Sequence, residues 1–385
     1  MFTRLKESEV CLAMRRLTAK PGEVHRVTDQ IYRITLHQPF YAPNQVYLIR
    51  DKTTMLIDSG YVESIAPLAL ALKSLGLAMR DIDVIVYTHP HIDHITGGLL
   101  WSQYSRRTER WGHYDMARAI PDYPEFIDIW QADTARILTL AYKDKQARTS
   151  RIRRANDRWA RFVHRFAEGL DSSGASVRHS SRAEALHGHA SSGASVRHSK
   201  IGDRAVILDR LLKEGDEFST GKLHFRILET PGHCTWHITP VETTVGFAFT
   251  GDVLIGNIPA IYDKLDGNLE LFQQTLTKLL DLRKASPHMR FMPAHGDEIQ
   301  HPERAIKIVQ KTIGILENGL LKKLVEGRKD LVDLMESAFG AHLEGGNHFI
   351  TALELLEALL RKLMREGRVG SQVYADGHEE FYLKH

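Results

Sequence analysis

The chain has 385 residues, of which 43% are hydrophobic and 26% charged, enough apolar content at this length for a large core and two or three folding units. Its 51 basic and 48 acidic residues leave a formal charge of +3, so bulk charge argues for neither a nucleic-acid nor a membrane-surface partner. Two cysteines, Cys11 and Cys234, exclude a disulfide framework and suit a reducing compartment. The segment from Met1 to Glu9 carries charges where a secretory leader needs an apolar stretch, and no apolar run reaches membrane-spanning length, so a cytoplasmic protein with no membrane partner is expected.

Short β-type segments at Ile31–Thr35, Val46–Ile49 and Met55–Asp58, parted by Pro43-Asn44 and Asp51-Lys52, predict a meander. Ile65, Leu68, Leu72 and Leu75 fall at helical spacing and are closed by Gly76, which predicts an amphipathic helix. Val84–Thr88 reads as a strand buried on both faces. It runs directly into His89-Pro90-His91-Ile92-Asp93-His94, which puts these histidines on a loop at a strand end, ahead of a turn at Gly97-Gly98. Beyond Tyr114 the text turns helical and strongly basic, from Lys143 to Arg165, and is taken as an insertion over about 115–200. Within it Ser172–Ser180 recurs word for word as Ser191–Ser199 around His187 and His189, a tract with little to bury that reads as a flexible loop.

Strand text resumes at Ala205–Leu208, Leu223–Leu228 and Val245–Phe249. The last two end in compact polar loops, Thr230-Pro231-Gly232-His233 and Thr250-Gly251-Asp252. A helix around Leu269–Leu282 leads to Arg290-Phe291-Met292-Pro293-Ala294-His295, and the strand–helix–strand order, met twice, implies sheets covered by helices. From Pro302 the chain is mainly helical, through Ala352–Met364, and the Asp376-Gly377 pair signals a hairpin. Three helices followed by a hairpin resemble a winged-helix module over residues 304–385.

Imidazole and carboxylate are the donors that hold borderline divalent ions, and His89, His91, Asp93 and His94 concentrate four of them in six residues. On a tight loop, alternate residues can aim at one ion while the other two aim at a second.

Together with Ile57-Asp58-Ser59-Gly60, Thr230–His233, Phe249–Asp252 and Pro293–Gly296, all in one order, this segment resembles the signature of the metallo-β-lactamase superfamily over roughly residues 20–300. The resemblance implies an αββα sandwich spanning residues 20–303, with the helical insertion inside it and the winged-helix-like unit after it. It implies that His89, His91 and His233 hold one divalent ion, that Asp93, His94 and His295 hold a second, and that Asp252 bridges them. Zinc is the expected metal, with iron and manganese as alternatives. Asp58 matches an acidic position that supports a ligand loop. His237 matches a second histidine after the Thr-Pro-Gly-His motif, as a supporting or substrate-facing donor. Asp93 is expected to take the proton of the attacking water as the leaving group departs.

The function implied is hydrolysis of a small-molecule ester, thioester or lactone by hydroxide held between the ions. Two alternatives stand beside it. Phosphodiester cleavage in single-stranded nucleic acid would use the basic insertion and the winged helix, and a mononuclear iron oxygenase would use His89, His233 and Asp252. The C-terminal unit can equally be a lid or a homodimer contact. Cys234 is read as small packing, and His179, His187, His189 and His198 as loop residues. Phe40-Tyr41, Trp101, Tyr104, Trp111 and Tyr114 are candidate substrate walls or core.

Overall fold

The computed structural model describes residues 20–38, 42–99, 101, 104–116, 208–260, 267–339, 347–375 and 379–384. The basic helical insertion, the duplicated tract with its histidines, Phe40-Tyr41 and the Asp376-Gly377 turn lie outside them.

The meander is present and longer than expected: β1 (Glu23–Arg26), β2 (Ile31–Leu36), β3 (Asn44–Arg50) and β4 (Thr54–Ile57) pair antiparallel in sequence order. Helix α1 (Ile65–Ser74) then crosses over to β5 (Val84–Val86), which lies parallel to β4. After α2 (Ile92–Leu99), β6 (Glu109–His113) and β7 (Arg210–Leu212) extend the parallel half, giving a seven-stranded sheet. A five-stranded sheet contains β8 (Glu217–Ser219), β9 (His224–Glu229), β10 (Ile238–Glu242), β11 (Phe247–Gly251) and β12 (Arg290–Pro293), with α3 (Leu269–Ala285) between the last two.

The alternation of side chains shows the four layers. Val46, Leu48, Leu56 and Ile85 face α1, whereas their neighbours Tyr47, Ile49, Met55, Ile57, Val84 and Val86 face the second sheet. Phe225, Ile227, Phe247, Phe249 and Met292 meet them from the other side, and Leu228, Ala248 and Phe291 point outward to α3. This is a helix–sheet–sheet–helix sandwich, as expected from the motifs.

Strand β10 has no counterpart in the sequence reading because Pro240 argues against a strand. Pro240 pairs with Ile227 of β9, and the pairing to β11 begins only at Val241, so the missing N–H sits where the strand has one partner.

The C-terminal region contains α4 (Pro302–Leu324), β13 (Lys329–Asp330), α5 (Leu331–Phe339), α6 (Asn347–Arg365), β14 (Val369–Val373) and β15 (Glu379–Leu383). Its three-stranded sheet has β15 between β13 and β14. One apolar cluster runs without a break from Phe291 through Phe272 and Leu276 of α3 and Ile306 of α4 to Leu356 and Leu360 of α6. Among the described residues no helix is long and apolar enough to cross a membrane.

Candidate metal centre

Every motif residue follows the carboxyl end of a strand. Asp58 follows β4, His89–His94 follow β5, His233 follows β9, Asp252 follows β11 and His295 follows β12. Those ends meet at one edge of the sandwich, where backbone hydrogen bonds from Ile238 N to Thr88 O (2.8 Å) and from Gln45 N to Ala294 O (2.7 Å) tie the two sheets together.

The predicted loop at the strand end holds for residues 87–91, which carry His89 and His91, but the chain then enters a helix, and Gly97-Gly98 lie inside it rather than in a turn. Residues 92–99 form α2, so Asp93 and His94 sit on its N-terminal turn. The two glycines serve close packing: a Cβ on Gly97 would lie 2.3 Å from the Ser59 carbonyl oxygen, and one on Gly98 would lie 1.8 Å from the Tyr87 hydroxyl. Glycine here lets the ligand helix press against the Asp58-Ser59-Gly60 turn.

Three groups of donors arise: His89, His91 and His233; His89, His94 and Asp252; and Asp93, His94 and His295, each with its atoms within 4.8 Å of one another. All seven side chains are buried. The carboxylate of Asp252 divides between the groups, with Oδ1 lying 3.6 Å from His94 Nε2 and 3.4 Å from His295 Nε2, and Oδ2 lying 3.6 Å from His233 Nε2. Asp93 offers Oδ1 at 3.4 Å from His94 Nε2 and Oδ2 at 3.2 Å from His295 Nε2.

Hydrogen bonds on the far side of each ring set which nitrogen is free to bind. His94 Nδ1 donates to Asp58 Oδ2 (2.9 Å), His233 Nδ1 to Ala260 O (2.8 Å) and His295 Nδ1 to Pro43 O (3.2 Å). Thr88 Oγ1 spends its single proton on Asp58 Oδ2 (2.9 Å), so it accepts from His89 Nδ1 (2.9 Å). In all four rings Nε2 is therefore the nitrogen that faces the centre. His91 presents the other nitrogen, with Nδ1 at 2.9 Å from His233 Nε2.

His237 is the instructive contrast. Its Nε2 lone pair accepts from Asp252 N (3.3 Å), and its Nδ1 pairs with Thr230 Oγ1 (2.7 Å). It lies fully buried and stacked on His89, with ring centroids 5.0 Å apart. Both nitrogens are committed, so the geometry gives it a supporting place under Asp252 and His89 and no face toward a substrate.

The electrostatics favour cations. Burial opposes charge on His94, but the carboxylates of Asp93, Asp252 and Asp58 outweigh it and hold its pKa well above the usual imidazole range. Burial is outweighed in the same way at His295, which Asp252 and Asp93 push up to about 10. Desolvation tends to raise Asp93 and Asp252, yet both are held below the ordinary carboxylate range: His94 and His295 act on Asp93, and His295 and His94 on Asp252. His89 is depressed by burial and then by His94 and His91, which suits a neutral ligand.

The donor set fits divalent ions. His89 Nε2, His94 Nε2 and Asp252 Oδ1 are buried and make no hydrogen bond among the described residues, a state that costs roughly 1–3 kcal/mol per group unless a ligand satisfies it.

Asp58 adopts φ 62°, the one positive φ at a non-glycine among the described residues. Its carboxylate accepts from Thr88 N (2.8 Å), Thr88 Oγ1 and His94 Nδ1, and these bonds hold the strained turn. Cys234 is buried packing. Of the aromatic candidates, Trp101 is core, 1% exposed and donating Nε1 to Thr108 Oγ1, and Trp111 packs edge-on against Phe218. Tyr104 packs against the α1 side of the sandwich, whereas Tyr114 is 41% exposed. Gln38, absent from the sequence reading, reaches the site: its Nε2 donates to Asp93 Oδ2 (3.1 Å). Only the residue's position just past β2 could have signalled it.

Fold and site together define an αββα protein with buried His/Asp clusters able to bind metal ions. Residues 41–295 match the family model of the metallo-beta-lactamase superfamily, and the chain belongs to that superfamily. It is 27% identical over 173 residues to a beta-lactamase-like protein 2 homolog of Drosophila melanogaster, covering 45% of this chain and 56% of that protein. It is 32% identical over 120 residues to a hydroxyacylglutathione hydrolase of Idiomarina loihiensis, covering 31% of this chain and 42% of the relative. The matched stretches thus span about half the length of these relatives. Among solved structures, a beta-lactamase domain protein from Burkholderia ambifaria superposes with TM-score 0.61 at 15% identity, covering 95% of this chain and 96% of the other. A metallo-beta-lactamase family protein from Thermus thermophilus gives 0.58 at 18% identity, covering 93% and 100%. At those identities the likeness shows the fold.

Proposed function

We propose that the chain is a dinuclear metal hydrolase acting on a small-molecule ester, thioester or lactone, with zinc as its metal. The observation that carries this reading is the pair of buried donor groups sharing Asp252, one carboxylate oxygen turned to each. His89, His91 and His233 would hold one ion, Asp93, His94 and His295 the other, and Asp252 both. When bound, such a pair supplies Lewis acidity and lowers the pKa of coordinated water to about 7.

The chain's own residues do the rest. Asp58, Thr88, Ala260 and Pro43 hold the rings with Nε2 toward the centre, so no ring has to turn before substrate binds. Asp93, on the N-terminal turn of α2, is the carboxylate assigned to take a proton as the leaving group departs. Similarity to hydroxyacylglutathione hydrolase supports a thioester as the first substrate to try.

The C-terminal unit is read as a winged helix on its order of helix, strand, two helices and hairpin. Its helix α6 buries Leu353, Leu356, Leu359 and Leu360 in the core shared with α3, which supports a packing role and gives nucleic-acid cleavage no observation of its own.

The test is elemental analysis of protein purified without added metal, with turnover of a chromogenic thioester, a lactone and bis(p-nitrophenyl) phosphate. Two zinc ions per chain, with thioester or lactone turnover abolished in His91→Ala, is the expected result. A single iron with oxygen uptake, or turnover confined to the phosphodiester, would overturn it.

A further inference from the structure

Strand β2 ends at Leu36, and the two residues beyond it carry the chain toward the metal centre. The side-chain amide of Gln38 has two N–H bonds to give. One goes to the carbonyl of Ala42 at 2.9 Å and the other to Asp93 Oδ2 at 3.1 Å. The first joins Gln38 to Ala42, just ahead of β3, and the second ties it to a buried carboxylate 55 residues further along the chain.

The contact has a specific geometry. Asp93 uses Oδ1 toward His94 Nε2 at 3.4 Å and Oδ2 toward His295 Nε2 at 3.2 Å, so Gln38 touches the oxygen on the His295 side. A carboxylate can bind an ion through one oxygen or through both, and a hydrogen bond to one oxygen favours binding through the other. Because Gln38 is neutral, it donates without adding a positive charge that would repel a cation.

We propose that Gln38 is a positioning residue for the second ion: its amide, braced on Ala42, holds Asp93 in one rotamer with Oδ2 engaged and Oδ1 presented to the group formed with His94 and His295. This rests on the two-ion reading above. Gln38 acts through Asp93, and the first group of His89, His91 and His233 does not depend on it.

The test uses Gln38→Met, which keeps the length of the side chain and removes the donor, beside Gln38→Ala, which removes both. Stepwise zinc uptake is followed by competition with a chromophoric chelator, and the thermal midpoint of each protein is recorded with metal removed. Both variants are expected to bind the ion at Asp93, His94 and His295 roughly 10–100-fold less tightly, and the other ion as the wild type does, with unchanged midpoints. Gln38→Met binding both ions like the wild type would show that only packing matters and would overturn the proposal. Equal loss of both ions with a lowered midpoint would overturn it too, as a general loss of structure. A wild-type protein that takes up a single ion would instead overturn the two-ion reading, and this proposal with it.

Discussion

Replacing Asp58 by asparagine separates the electrostatic role of this residue from its backbone role. Asparagine tolerates the left-handed φ of 62° that alanine would strain, so the turn is kept. The amide has one acceptor oxygen where the carboxylate has two. At present Oδ1 accepts from Thr88 N at 2.8 Å, and Oδ2 accepts from His94 Nδ1 and Thr88 Oγ1, each at 2.9 Å. In the variant one of these sets of donors must face an NH2 group. If it is His94, the ring loses its acceptor and its proton is no longer held on Nδ1. A hydrogen bond to a charged group contributes about 1.5–3 kcal/mol, and Asp58 is only 1% exposed, so solvent does little to weaken it. At about 1.4 kcal/mol per factor of ten, the affinity of the ion at Asp93, His94 and His295 should fall roughly 10–100-fold. The assay is competitive zinc titration, with thermal melting of the metal-free protein as control. Affinities within twofold of wild type would refute the claim that Asp58 sets the His94 tautomer.

Affinity for the second ion should fall on acidification. His295 is held up to about 10 and His94 well above its ordinary value, so below that range an entering cation must displace protons there. His89 is held well below its ordinary value and offers no such competition, so uptake by the first group should be less steep in titrations between about pH 6 and 9, and parallel slopes would contradict this. Gly97→Ala should destabilise the fold: the helix propensity gained, about 1 kcal/mol, is outweighed by an overpacking cost of about 1–3 kcal/mol, because the new methyl would lie 2.3 Å from the backbone oxygen of Ser59. Urea denaturation reads the sign. Leu359→Ala, at a fully buried position, should cost about 2–5 kcal/mol. It should lower a single unfolding transition, because the cluster joining α6 to α3 is continuous; two separate transitions would show independent units.

The layers of the sandwich were legible because its strands alternate cleanly: Tyr47 and Ile49 face one way, Val46 and Leu48 the other, and period two is visible in sequence. The seven candidate ligands were legible because they are polar residues in fixed order at strand ends. What escaped depends on space. Gly97-Gly98 reads as a turn, yet it is packed against Ser59 and Tyr87 inside a helix, and nothing local in the sequence reports that approach. Pro240 hid β10 because pairing on one side only is a property of the neighbour, not of the strand. The role of His237 turned on where its second nitrogen points, and Gln38 was found only through a partner 55 residues away.

The distribution of the donors between the sheets leads to a last prediction. His89, His91, Asp93 and His94 follow a strand of the first sheet, whereas His233, Asp252 and His295 follow strands of the second. Each donor group therefore takes side chains from both: His89 and His91 with His233, and Asp93 and His94 with His295. An ion in either group would bridge the two sheets at the edge where hydrogen bonds such as that from Ile238 N to Thr88 O already join them. A ligand that binds the folded sandwich and not the separated sheets stabilises it by about 2.7 kcal/mol when present at a hundred times its Kd, which for a chain of this size is a rise of roughly 3 °C in the melting midpoint. Removing metal with a chelator should lower the midpoint by at least that amount, and His233→Ala should abolish part of the difference by detaching one sheet from the first group. If midpoints with and without metal coincide, the ions do not span the sheets, and the assignment of His233 and His295 to shared sites would have to be abandoned.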